Sequence, residues 1–264
     1  MMKKLILLLG LLSLLAVEIH AVDVKKLTLP SGAPLTVYVP DQPDGRAVLA
    51  LPGGGYVYLA VDHEGKASAP FFNERGITLA VLEYRFPEGN PNVPLGDAWE
   101  AMKYLRSNGD ELGVDLEKVG IMGSSAGGHL AAATSTLAPD AASRPDFQIL
   151  FYPVICMWDA STVHAGSRDA LLGENASEET LRHYSPDLQV DSLTPPAFIL
   201  LSNDDWAVPA ANGVRYYMAL NNARQDAVLH VYPSHGHGWG WRETPFSALW
   251  QDELSYWLSR LGKE

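Results

Sequence analysis

The chain has 264 residues, with 19 Lys and Arg against 31 Asp and Glu, giving a net charge of −12, and 47% of it is hydrophobic. This composition excludes a disordered or low-complexity chain, and the acidic balance disfavours non-specific nucleic-acid binding, which sets Lys and Arg against phosphates. The one cysteine, Cys156, excludes an intramolecular disulfide framework and any Cys-rich zinc or iron–sulfur centre.

In chain order, Lys3 and Lys4 precede an apolar run from Leu5 to Val17, and Ala21 offers a small residue for cleavage. The run is short against the ~20 residues that span a bilayer. Residues 1–21 therefore read as a secretory signal peptide, and 22–264 as the exported, secreted or periplasmic domain, without membrane attachment after cleavage. Short apolar runs then alternate with helical patterns. The predicted strands are Leu35–Val39, Ala47–Leu51, Ile77–Tyr84, Val119–Met122, Gln148–Tyr152, Ala197–Leu201 and Val228–Tyr232. The predicted helices lie near His63–Arg75, Leu95–Asn108, Ala126–Thr136, Ala210–Ala223 and Pro245–Leu261. This alternation implies βαβ units and an α/β fold with a mostly parallel twisted sheet. The first two strand runs, with the Pro30-Ser31-Gly32 turn, read as an antiparallel hairpin at one edge. The stretch from Cys156 to Thr194 has no clear strand and is expected to form a small cap. Ligands of such sheets bind beyond the carboxyl ends of the strands, so the loops that follow strands carry the function.

Three of those loops have chemistry in common. Gly123-Ser124-Ser125-Ala126-Gly127 follows a strand and opens a helix, which fits G-x-S-x-G with Ser125 as nucleophile. A sharp strand-to-helix turn lifts the serine hydroxyl above the sheet, and the helix N-terminus presents free N–H groups to developing negative charge. Upstream, Pro52-Gly53-Gly54-Gly55-Tyr56 lets backbone amides face a substrate oxygen, so Gly54, Gly55 and Ala126 are the expected oxyanion donors. Downstream, Asp204 and Asp205 end one strand, while His235 and His237 lie in the glycine-rich loop after the last. The order Ser, Asp, His is that of a serine hydrolase, with one aspartate orienting one histidine. His235-x-His237 as a metal pair is the rival, but it lacks an evident third ligand and leaves the serine turn unexplained.

The chain resembles the α/β-hydrolase esterases, in particular the small secreted bacterial group of acetylxylan or feruloyl esterase-like proteins. The resemblance rests on PGGGY at Pro52–Tyr56, His63-Glu64-Gly65, Glu83-Tyr84-Arg85 and GSSAGGHLAA at Gly123–Ala132. It continues through Leu171–Asn175, Ser185-Pro186, Thr194-Pro195-Pro196, Asp204-Asp205-x-x-Val208-Pro209 and GHGWG at Gly236–Gly240. It implies Asp205 as the acid and His237 as the base, although His235 stands where such sequences often carry glycine. It also implies an acyl-enzyme mechanism without metal or organic cofactor, acting on acetylated xylan or xylo-oligosaccharides. Alternatives are a feruloyl or general carboxylesterase, or an inactive carbohydrate-binding scaffold. Tyr56, Trp158, Trp206 and Trp239 flank the catalytic loops and are the expected substrate-binding aromatics, with Tyr58 and Trp241 nearby.

Overall fold

Near-continuous apolar runs need cover on both faces, and the structure supplies it. A computed structural model describes residues 22–233 and 235–262; the expected signal peptide lies outside the described residues. Its strands are β1 (Val22–Thr28), β2 (Pro34–Pro40), β3 (Gly45–Leu51), β4 (Thr78–Leu82), β5 (Val114–Ser124), β6 (Gln148–Phe151), β7 (Ala197–Ser202) and β8 (Ala227–Tyr232). They form one sheet in the order β1-β2-β4-β3-β5-β6-β7-β8. The β1–β2 and β2–β4 pairings are antiparallel and every later one is parallel.

The helices are α1 (Val61–Glu64), α2 (Ala69–Asn73), α3 (Asn92–Ser107), α4 (Gly109–Leu112), α5 (Ala126–Thr136), α6 (Ala165–Leu172), α7 (Glu178–His183), α8 (Ala211–Asn222) and α9 (Ser247–Arg260). Alternate strand residues serve opposite faces, as the pleat requires. Ala47, Leu49 and Leu51 join the core packed by Leu95 and Met102 of α3 and Leu130 of α5. Val48 and Ala50 join the core packed by Phe72 of α2 and Trp250 and Leu254 of α9. Truncating a buried anchor such as Trp250 to Ala costs about 3–5 kcal/mol.

Two expectations need correction. The edge hairpin exists, but its first arm is β1, which the sequence did not single out. Leu35–Val39 and Ala47–Leu51 are not partners, because β4 lies between them. The helix expected over His63–Arg75 is broken into α1, a 3₁₀ turn at Lys66–Ser68 and α2. Gly65 marks the break: a Cβ there would sit 2.6 Å from the Val61 carbonyl oxygen and 2.7 Å from Val81. The Cys156–Thr194 stretch contains only α6, α7 and a 3₁₀ turn at Pro186–Leu188, with no strand between Phe151 and Ala197. Among the described residues, no helix is long and apolar enough to cross a membrane.

Candidate active site

β5 ends at Ser124 and α5 begins at Ala126, so Ser125 must reverse the chain alone. It does so at φ 55°, ψ −121°, a conformation that ordinary side chains rarely adopt. Its N–H donates to the Phe151 carbonyl at 3.0 Å, and its own carbonyl accepts from Val154 N–H at 3.0 Å. Both flanking glycines are required by close approach. A Cβ at Gly123 would lie 2.1 Å from the Gly127 carbonyl oxygen, and one at Gly127 would lie 2.1 Å from that of Leu51.

The loops after β7 and β8 bring two more groups to Ser125. His237 Nε2 is 2.7 Å from Ser125 Oγ, and His237 Nδ1 is 2.7 Å from Asp205 Oδ2. A carboxylate only accepts, so Nδ1 carries the hydrogen and Nε2 is free to accept from the serine hydroxyl. Asp205 is itself fixed. Its side chain is 1% exposed, and Oδ1 accepts from the N–H groups of Ala207 (2.9 Å) and Val208 (2.8 Å). The neighbouring Asp204 has a different task, accepting the Gly236 N–H at 2.9 Å and so tying the β8 loop to the β7 loop. His235 is exposed, at φ 108°, with its ring edge toward Phe246. The two adjacent histidines therefore diverge rather than converge on one point.

The triple-glycine loop after β3 turns its middle toward the same place. Gly54 and Gly55 line the cavity over Ser125. Among the described residues their N–H groups donate to no protein acceptor, and Ala126, at the first helical position, has none within α5. The back of the loop is fastened instead. Glu64 Oε2 accepts the Gly53 N–H at 2.7 Å, Tyr84 Oη donates to the Pro52 carbonyl at 2.7 Å, and Tyr56 Oη contacts His129 Nδ1 at 2.7 Å. The other Glu64 oxygen accepts from Tyr152 Oη at 2.8 Å, and Tyr152 Oη in turn accepts the Gly240 N–H at 2.6 Å. Burial, with the Glu64 carboxylate adding to it, holds the Tyr152 hydroxyl well above its ordinary range. Its ring packs 4.7 Å from that of His237. Burial lowers His129 to about 4, so its ring stays neutral between Tyr56 and the Tyr184 carbonyl, 2.8 Å from Nε2.

The cavity holds about 590 Å³ and is lined by Ser125, His237, Tyr58, His164, Trp206 and Arg242, among others. Of the four aromatics expected at the substrate, Trp206 borders it. The other three are corrected by their positions. Tyr56 is buried behind the glycine loop, where its hydroxyl is used by His129. Trp158 is stacked in the cap between Arg182 and Arg215, at 4.2 and 5.3 Å. Trp239 is buried against Phe151 and Tyr152, its indole N–H donating to Ser202 Oγ at 3.1 Å.

The profile of the alpha/beta hydrolase fold matches residues 48–240, from the strand before the glycine loop to the loop after β8. The chain belongs to the alpha/beta hydrolase family. Among curated relatives of this hydrolase, an acetylxylan esterase of Xylanibacter ruminicola is 40% identical over 239 residues, 88% of this chain and 49% of that protein. An endo-1,4-beta-xylanase B of Butyrivibrio fibrisolvens is 34% identical over 205 residues, 72% of this chain and 32% of that one. The chain thus spans about half the length, or less, of these two relatives. The crystal structure of an acetyl ester-xyloside bifunctional hydrolase from Caldicellulosiruptor lactoaceticus superposes with a TM-score of 0.81 at 34% identity, covering 88% of this chain and 89% of that one.

Sequence reasoning about this hydrolase did not assign functions to Glu64, Tyr152 or His164. Glu64 was visible within His63-Glu64-Gly65, and a carboxylate beside a glycine break could have signalled a buried acceptor. Tyr152 ends a predicted strand at the carboxyl edge of the sheet, a position that signals a site. His164 lies in the cap, where no strand end points to it.

Proposed function

We propose that this hydrolase is a secreted serine esterase that removes acetyl groups from xylan or xylo-oligosaccharides. The observation that carries the reading is the continuous relay Asp205–His237–Ser125, opening on a cavity lined by Gly54 and Gly55, whose amides have no protein acceptor among the described residues. The named activities of the relatives support the choice of acetyl ester, and the N-terminal segment supports export.

In the proposed reaction, His237 Nε2 takes the Ser125 proton as Oγ bonds to the ester carbonyl carbon. The carbonyl oxygen becomes an oxyanion facing the amides of Gly54, Gly55 and Ala126. Each such donor typically contributes about 3 kcal/mol to the transition state. Asp205 holds the ring in the productive tautomer and stabilises its positive form. The carbon–alkoxide bond then breaks, and the alcohol leaves with the proton from Nε2. Water, deprotonated by the same nitrogen, attacks the acetyl-serine, releasing acetate and returning the proton to Oγ.

The test is acetate release from acetylated xylo-oligosaccharides by the mature protein, with Ser125→Ala alongside. Release by the wild type, reduced on the order of 10⁴-fold or more in the variant, is expected. Cleavage of 4-nitrophenyl acetate without acetate release would keep the serine chemistry and discard the xylan assignment. Turnover of methyl ferulate alone would favour the feruloyl alternative. Failure on every ester would favour the inactive scaffold.

A further inference from the structure

His164 is the N-cap residue of α6, at φ −86°, ψ 95°. Its Nδ1 accepts the Ser167 N–H at 3.1 Å and lies 2.8 Å from Ser167 Oγ. A backbone N–H only donates, so Nδ1 is an acceptor and the hydrogen of the neutral ring sits on Nε2. That nitrogen has no hydrogen-bond partner among the described residues, although His164 lines the cavity shared by Ser125 and His237. Burial lowers the pKa of His164 and the neighbouring His237 lowers it further, against a raising effect of Asp205, so the ring is neutral at pH 7. His164 thus borders whatever fills that cavity, and because an acetyl group carries no acceptor beyond its carbonyl oxygen, any further acceptor beside it belongs to the alcohol portion. Helix capping alone is served as well by Asn, Asp or Ser. A histidine adds a second nitrogen that the cap does not use.

We propose that His164 is a substrate-binding residue whose Nε2–H donates to an oxygen of the alcohol portion of the substrate, a hydroxyl or ring oxygen next to the ester. It favours esters of saccharides over simple esters, which lack that oxygen. This rests on the function proposed above.

The experiment compares kcat/KM on acetylated xylo-oligosaccharides and on 4-nitrophenyl acetate for wild type, His164→Ala and His164→Asn. Asn keeps the N-cap but is too short to present a donor where Nε2 stands, so it separates the two roles even if the Ala variant folds poorly. In His164→Asn the saccharide value is expected to fall roughly five- to tenfold, as for one lost hydrogen bond. The nitrophenyl value stays within about twofold and the melting temperature is unchanged. A saccharide-to-nitrophenyl ratio equal to wild type in His164→Asn would overturn the assignment and leave His164 a cap. An equal loss on both esters would overturn it too. A wild type that cleaves 4-nitrophenyl acetate but no acetylated xylo-oligosaccharide would remove the substrate reading itself, and this inference with it.

Discussion

The two sides of the cavity are built on different principles. The floor, from Pro52 to Glu64 and along β5 and β6, is secured by buried hydrogen bonds: Glu64 to Gly53, Tyr152 to Glu64, Tyr84 to Pro52 and Tyr56 with His129. The cap is held by cation–ring stacking and by ion pairs that are at least partly exposed except at the buried Asp187: Arg215 to Asp159 and Asp187, Arg182 to Glu178, and both arginines on Trp158. Buried, satisfied networks fix geometry, whereas exposed ion pairs contribute little and leave their elements adjustable. Ser125 and the glycine loop, to which the proposed reaction assigns the nucleophile and the oxyanion donors, thus stand on the rigid side, and the group proposed to read the alcohol stands on the other. His129 joins the two, bonding Tyr56 below and the Tyr184 carbonyl above.

The contrast can be broken in order of severity. Asp205→Asn leaves the fold intact but allows the wrong tautomer of His237. A loss in kcat on the order of 10³–10⁴-fold on 4-nitrophenyl acetate is expected, and a loss under tenfold would remove Asp205 from the relay. The link between the sides is tested by pH. His129 is lowered to about 4 in the folded chain, against an ordinary 6.5. Above pH 6.5 it is neutral in both states. As pH falls from 6.5 to 4 the unfolded chain binds a proton that the folded chain refuses, so stability drops by up to about 3 kcal/mol. Denaturant titrations should show the stability advantage of wild type over His129→Gln shrinking across that window; a constant advantage would sink the argument.

Glu64→Gln is milder. Gly53 and Tyr152 donate to opposite carboxylate oxygens, and an amide puts an NH2 group at one of those two positions, so one of the two bonds is lost. About a tenfold fall in kcat on the nitrophenyl ester is expected, with little change in KM, because the glycine loop loses its rear anchor. A KM effect without a kcat effect would make Glu64 part of substrate binding instead. Arg182→Met should matter least, since its ion pair with Glu178 is exposed and the aliphatic chain still covers Trp158. Thermal melts should report destabilisation of about 1 kcal/mol, with nitrophenyl acetate turnover unaltered. A loss of turnover there would show that the cap governs the floor.

The centre of this molecule was legible because its constraints are strict. Strands covered on both faces leave apolar runs, and the turn around Ser125 admits only small neighbours. The edge was not: β1 is largely exposed, and its alternation of Val22 and Val24 with Asp23 and Lys25 is broken at Lys26. The break in His63–Arg75 lies between Gly65, where Val61 and Val81 leave no room for a side chain, and Pro70, in the first turn of α2; periodicity alone passes over both. Asp204 and Asp205 are alike in sequence and separate only in space, one holding a loop and the other a ring. Aromatics near the catalytic motifs were expected to face substrate, yet Tyr56 and Trp239 support the loops from behind. Large side chains beside a site are as useful for bracing its walls as for lining them.

Trp206 stands apart from that pattern. It follows Asp205 directly, borders the cavity and is 83% exposed, while Trp239, Trp250 and Trp257 are all buried. The protein therefore carries an optical reporter at the mouth of its own cavity. Acrylamide should quench the red-edge emission of Trp206 preferentially, and a saccharide settling at the rim should shield it. Occupancy could then be followed by fluorescence in Ser125→Ala, with no label and no turnover.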